Sequence, residues 1–145
     1  MWWLGIVAAV CSGILMSVQG VCNTGVSEKA GLWVTGAFVS LSAAVVCWLI
    51  WMCTGRDGNF GALGEVTPQY QLLGGVFGAV ITGTVVYSIS QLGTAKAELV
   101  IVAAQLAAAY VLALTGWLGS ARETFAWQKL AALAVTAAGV IWYNL

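Results

Sequence analysis

The chain has 145 residues, 61% of them hydrophobic and 7% charged, and its formal net charge is zero. Soluble domains carry about a quarter charged residues, so this composition, with a mean hydropathy of +0.96, cannot cover a globule with surface that water tolerates. The missing basic excess argues against nucleic acid as a partner, and the expected membrane segments fill residues 1–145, leaving no soluble catalytic module.

A helix needs about 20 apolar residues to cross the hydrocarbon core of a bilayer, and five runs approach that length. The first spans Trp2 to Cys22. It is expected to be retained rather than cleaved as a signal peptide, because only Met1 precedes it and the run is too long for a signal's apolar core. Asn23 to Ala30 is expected to connect it to a second span from Gly31 to Cys53. The long connection that follows, Thr54 to Gln69, reads TGRDGNFGALGEVTPQ. Its glycines and single proline break helix, Arg56, Asp57 and Glu65 mark it as wet, and it lacks the spaced carboxylates of a calcium loop. Tyr70 to Ser90 forms the third span, Gln91 to Gly93 a short link, Thr94 to Trp117 the fourth span, Leu118 to Phe125 a loop and Ala126 to Tyr143 the fifth span. Trp2, Trp3, Trp48, Trp51, Trp117, Trp127, Trp142 and Tyr143 fall near span ends, where aromatic rings sit at the headgroup level. The expected fold class is an all-α membrane protein, a single domain of five transmembrane helices.

The basic residues divide almost evenly between the two sides that this threading defines. Lys29 and Lys96 lie on one side, and Arg56, Arg122 and Lys129 on the other, two against three. Orientation follows a Lys/Arg excess in cytoplasmic loops, and without one the chain is free to insert either way up.

Small residues mark where helices are expected to touch, since close backbone approach replaces the hydrophobic drive that lipid cannot supply. Gly5, Ala9, Gly13 and Ser17 form one stripe on the first helix, Gly74 and Gly78 a GxxxG pair on the third, and Ala131, Val135 and Gly139 a weaker ridge on the fifth.

Polar residues within the spans carry two readings. Ser12, Gln19 and Asn23 share a face of the first helix, Gln105 lies midway along the fourth, and Thr84, Ser88 and Gln91 line one face of the third. They either tie helices together, at about 1 kcal/mol or less each, or line a polar cavity near the midplane, where transporters place substrate. The hydroxyls are expected to act as ties. Gln19, Asn23 and Gln105, with Trp33 as an aromatic wall, are the candidate substrate-binding residues. Glu98 and Lys96 lie near the start of the fourth span. Glu98 either answers the helix dipole at the water boundary, or faces Gln105 with a raised pKa and exchanges a proton for substrate.

Cys11, Cys22, Cys47 and Cys53 lack metal-ligand spacing and there is no histidine, so reduced structural thiols are expected and no metal or other cofactor. Without a nucleophile and base pair, an enzyme is not expected.

Gln19-Gly-Val-Cys-Asn23, Leu73-Gly-Gly-Val-Phe-Gly78, Leu92-Gly93, Ala104-Gln105, Gly116-Trp-Leu-Gly119 and Gly139-Val-Ile occur in that order. In these motifs, and over almost its whole length, the chain resembles the small five-helix YdcZ-type proteins of the drug/metabolite transporter superfamily. It departs from their pattern at Ala104, where Gly is usual, at Ala113-Leu114, where an Asp-His pair is frequent, and at Glu98, where an apolar residue is usual. No charged coupling residue therefore carries over. The resemblance implies a secondary transporter or exporter of a small molecule in the bacterial cytoplasmic (inner) membrane. The ten-helix members of the superfamily look like two five-helix halves, so a five-helix chain is one half of an inverted-repeat transporter. Its partner would be a second copy or a close paralogue in the opposite orientation, forming an antiparallel dimer with a shared central site. A small dual-topology channel and a non-transporting membrane assembly protein are the alternatives; saturable counter-transport separates transporter from channel.

Overall fold

The computed structural model describes residues 2–56 and 58–144; Met1, Asp57 and Leu145, and with Asp57 one of the expected wet positions of the long loop, lie outside the described residues. The described residues form α1 (Trp2–Ala30), α2 (Leu32–Cys53), α3 (Gly74–Leu92), α4 (Thr94–Thr115) and α5 (Trp127–Asn144). Short 3-10 helices over Phe60–Glu65, Gln69–Leu73 and Trp117–Gly119 fill the connections. The chain is an all-α membrane protein. Four helical segments, α1, α2, Gln69–Leu92 and α4, are long and apolar enough to cross a bilayer. The chain divides into two compact units, Met1–Ser90 and Gln91–Leu145.

In the first unit α1 packs against α2. The expected connection from Asn23 to Ala30 is helix instead, because α1 runs on through it to a length of 29 residues. Asn23, Thr24, Ser27, Glu28 and Lys29 are polar, but none of them breaks the i to i−4 ladder, and Gly25 only weakens it. The turn is made by Gly31 alone, at φ 85° and ψ 156°. That region is essentially restricted to glycine. The Gly31 carbonyl then accepts from both the amide and the hydroxyl of Thr35, at 3.1 and 2.8 Å. A second joint of the same kind lies between α3 and α4, where Gly93 has φ 78° and ψ 159° and its carbonyl accepts from the Ala97 amide at 3.1 Å.

α2 ends on a tight cap, with the Arg56 amide donating to the Trp51 carbonyl at 3.0 Å and both Gly55 and Arg56 at positive φ. The loop returns so that the Trp51 and Phe60 rings meet edge to face at 5.0 Å. Gly83, Val86 and Ile89 are the buried residues of α3, three apart and so on one face.

In the second unit α4 packs against α5. The Tyr110 hydroxyl donates to the Ala126 carbonyl at 3.3 Å and accepts from the Ala126 amide at 3.2 Å, which fixes the entry to α5 on the side of α4. Lys129 and Glu123 pair at the exposed start of α5, a contact of at most about 1 kcal/mol.

One hydroxyl expected to tie helices together, that of Thr84, spends its proton locally. Thr84 donates to the carbonyls of Val80 and Ile81, each at 3.0 Å, within its own helix. An apolar medium offers no closer acceptor than the carbonyl one turn back. The glycines of the small-residue stripes have no close neighbour outside their own helices. A Cβ at Gly5, Gly13, Gly74, Gly78 or Gly139 would meet nothing within 4 Å. All four cysteines are free and exposed rather than packed in a core.

The glycine joint gives a direct stability test. Gly31→Ala meets no atom within 4 Å, so its cost is conformational alone. It is expected to destabilise the chain by about 1–3 kcal/mol, read as a lowered unfolding temperature in detergent. Gly36→Ala, inside α2 and equally uncrowded, is expected not to lower it.

Candidate functional site

Three polar side chains are buried in the described structure, and all belong to α1 and α2: Asn23 and Thr24, each 9% exposed, and Thr35, 1% exposed. They lie within about two turns of Gly31 along their helices, at the closed end of the α1–α2 hairpin. The long apolar run of α1 carries this polar patch because the helix continues past the point where its sequence turns polar.

Their hydrogen bonding separates them. The Thr24 hydroxyl donates to the Gly20 carbonyl at 2.9 Å and the Thr35 hydroxyl to the Gly31 carbonyl at 2.8 Å. Asn23, with two donors and an acceptor oxygen, makes no side-chain hydrogen bond among the described residues. Among the described residues no buried side-chain nitrogen or oxygen is both shut in and unpaired, so the Asn23 amide retains a path to the outside. A largely buried amide that is unpaired and reachable is suited to hydrogen-bond a guest.

The other candidates are placed as follows. Gln19 lies one turn before Asn23 on α1 and is exposed, so the two amides share a face but differ in burial. Trp33, in the first turn of α2, is 76% exposed. In the second unit Gln105 is exposed midway along α4, and Glu98, half-buried, lies two turns before it on the same face. Glu98 falls just beyond the first turn of α4, which contains no acid. The helix dipole acts mainly within that turn, so its hold on this carboxylate is weak.

An open apolar groove of about 790 Å³ also lies in the first unit, lined among others by Leu41, Val45, Trp48 and Trp51 of α2 and by Phe60 and Leu63 of the loop. None of the candidate binding residues lines it. Thr24 and Thr35 were not singled out from sequence as binding candidates. The signal was their spacing from Gly31, which has meaning only once that glycine is known to be a joint.

Residues 4–142 match the family model described as "Putative inner membrane exporter, YdcZ". No curated protein and no solved structure matches the chain. A match over nearly the whole length, on a helical membrane chain with this polar patch, means that the protein belongs to the YdcZ family.

Proposed function

We propose that the protein exports a small molecule across the inner membrane as an antiparallel dimer with a second copy or close paralogue. In this arrangement all five helices span and the binding site is shared. The observation that carries the transport reading is Asn23, a nine-tenths buried amide with no hydrogen bond and a path outward, in a chain whose family is described by export. Gln19, Asn23 and Gln105 bind the substrate, and Trp33 supplies an aromatic wall.

Two features support the inverted partner. The two-to-three division of basic residues gives no orientation signal. The small-residue stripes of α1, α3 and α5 have open space beside them, which suits close approach of another helix. α5 is not among the helices apolar enough to cross by themselves, but it has an uncharged core from Leu130 to Ile141 between Lys129 and Trp142. That core is about 18 Å long, and it spans with the help of a snorkelling Lys129 and interfacial Trp127, Trp142 and Tyr143.

Reporters fused to the C-terminus are expected to signal from both sides of the membrane in comparable amounts, and two lysines added to the second loop are expected to lock one orientation. Labelling from one side alone would replace the second copy with an inverted paralogue.

Gln105 is exposed and makes no side-chain hydrogen bond among the described residues, so Gln105→Leu removes no hydrogen bond within them. It is expected to change stability by less than about 0.5 kcal/mol and to abolish flux in reconstituted vesicles. Flux at the wild-type rate would remove Gln105 from the site.

Glu98 is the candidate proton-coupling group. It is half-buried and lies two turns before Gln105 on the same face of α4. Glu98→Gln is expected to abolish the pH dependence of flux while assembly is retained. A pH profile identical to that of the wild type would place Glu98 at the water boundary with no part in transport.

A further inference from the structure

The two single-glycine joints provide an internal control on polarity. Gly31 and Gly93 share a backbone conformation, with φ/ψ of 85°/156° and 78°/159°. Four residues after each glycine the chain is fully enclosed, at Thr35 (1% exposed) and Ala97 (0%). Seven residues before each glycine the side chain is buried again, Thr24 in one case and Val86 in the other. Eight residues before, Asn23 is buried and Val85 half-buried.

At the positions eight and seven residues before the glycine, the sequence leading to the second joint therefore has Val85 and Val86 where the first has Asn23 and Thr24. Nothing about the backbone of the joint requires polarity at these two positions, and a buried amide and hydroxyl cost free energy that two buried valines do not. Thr24 spends its proton on the Gly20 carbonyl, which leaves its oxygen free only to accept. Asn23 spends nothing internally and can both donate and accept. The nearest charged side chains along the chain, Glu28 and Lys29, lie about one turn further on, are exposed and have opposite signs. The patch thus has no net charge with which to offset a buried ion.

Building on the export reading above, we infer that Asn23 and Thr24 recognise an uncharged group of the transported molecule that carries a hydrogen-bond donor beside an acceptor. A primary amide, a polyol and a sugar have this chemistry; a lipophilic cation does not. The Asn23 amide engages both atoms of the group and the Thr24 oxygen accepts from its donor.

The test is thermal unfolding of the purified full-length protein in detergent with acetamide, xylitol, glucose or tetraphenylphosphonium, for the wild type and for the double variant N23V/T24V, which installs the valines of the second joint. At least one uncharged probe is expected to raise the wild-type unfolding temperature saturably. The double variant is expected to unfold at no lower temperature than wild type without probe, and to bind that probe at least tenfold more weakly. The inference is overturned if no uncharged probe shifts the wild type or if the variant keeps the shift. It is also overturned if the variant unfolds earlier or does not fold, which would make the polarity structural. A tetraphenylphosphonium shift that the variant loses would assign the patch to cations instead. Saturable binding of an uncharged probe without flux in vesicles would support this recognition while overturning the export reading.

Discussion

A backbone inside hydrocarbon has no water to bond, so every amide and carbonyl must be satisfied within its own segment. The helices of this chain extend the same economy to their hydroxyls. Ser17, Thr24, Thr35, Thr82, Thr115 and Thr136 each donate to the carbonyl four residues back. A hydroxyl has one proton and a short reach, so it can be satisfied this way. An amide has two donors and a longer stem and cannot. Among the candidate binding residues the unmet polar demand therefore falls on the amides Gln19, Asn23 and Gln105, and of these only Asn23 is buried.

The position of Asn23 depends on the length of α1. Had the helix stopped at Cys22, Asn23 and Thr24 would belong to a wet loop and carry no information. Because it continues to Ala30 and turns on Gly31 alone, the same two residues lie on a packed helix close to the turn. Gly31 fixes the geometry from the other side as well, since its carbonyl holds both the amide and the hydroxyl of Thr35. One residue with no side chain thus determines which polar groups of two helices are enclosed.

Much of this was legible in the sequence. The five helices follow from apolar runs whose length the bilayer dictates, and α4 begins at the expected Thr94. The first connection was not legible, because the polarity of Ser27, Glu28 and Lys29 speaks for side-chain solvation and not for the backbone ladder that decides where a helix ends. The link ending at Gly93 was legible, but Gly31 as the sole turn was not, because a lone glycine between apolar runs looks the same whether it sits within a helix, as Gly36 does, or turns the chain, as Gly31 does. The stripes of Gly5, Gly13, Gly74 and Gly78 were legible as packing surfaces, but no atom of this chain would touch a Cβ there. Of the candidate site, the shared face of Gln19 and Asn23 could be read from their spacing. Their difference in burial depends on where α2 lies, which spacing does not encode.

On the proposed reading, assembly and binding answer the same physical demand. Gln19 and Gln105 are exposed on helices that lie in hydrocarbon, and a solvated amide transferred to an apolar medium without a partner costs about 4–8 kcal/mol by the strictest reference. A chain free to insert in both orientations can remove that cost by presenting these faces to an inverted copy, with the small-residue stripes allowing the backbones to approach. Complete pairing of the amides across such an interface would leave nothing to hold a substrate. On this reading Gln19 and Gln105 are enclosed at the shared site without being paired off, and the unpaired, reachable amide of Asn23 joins them there. Its cost is tolerated because a guest molecule can satisfy it, and a site satisfied only when loaded distinguishes the loaded carrier from the empty one, a difference that transport requires.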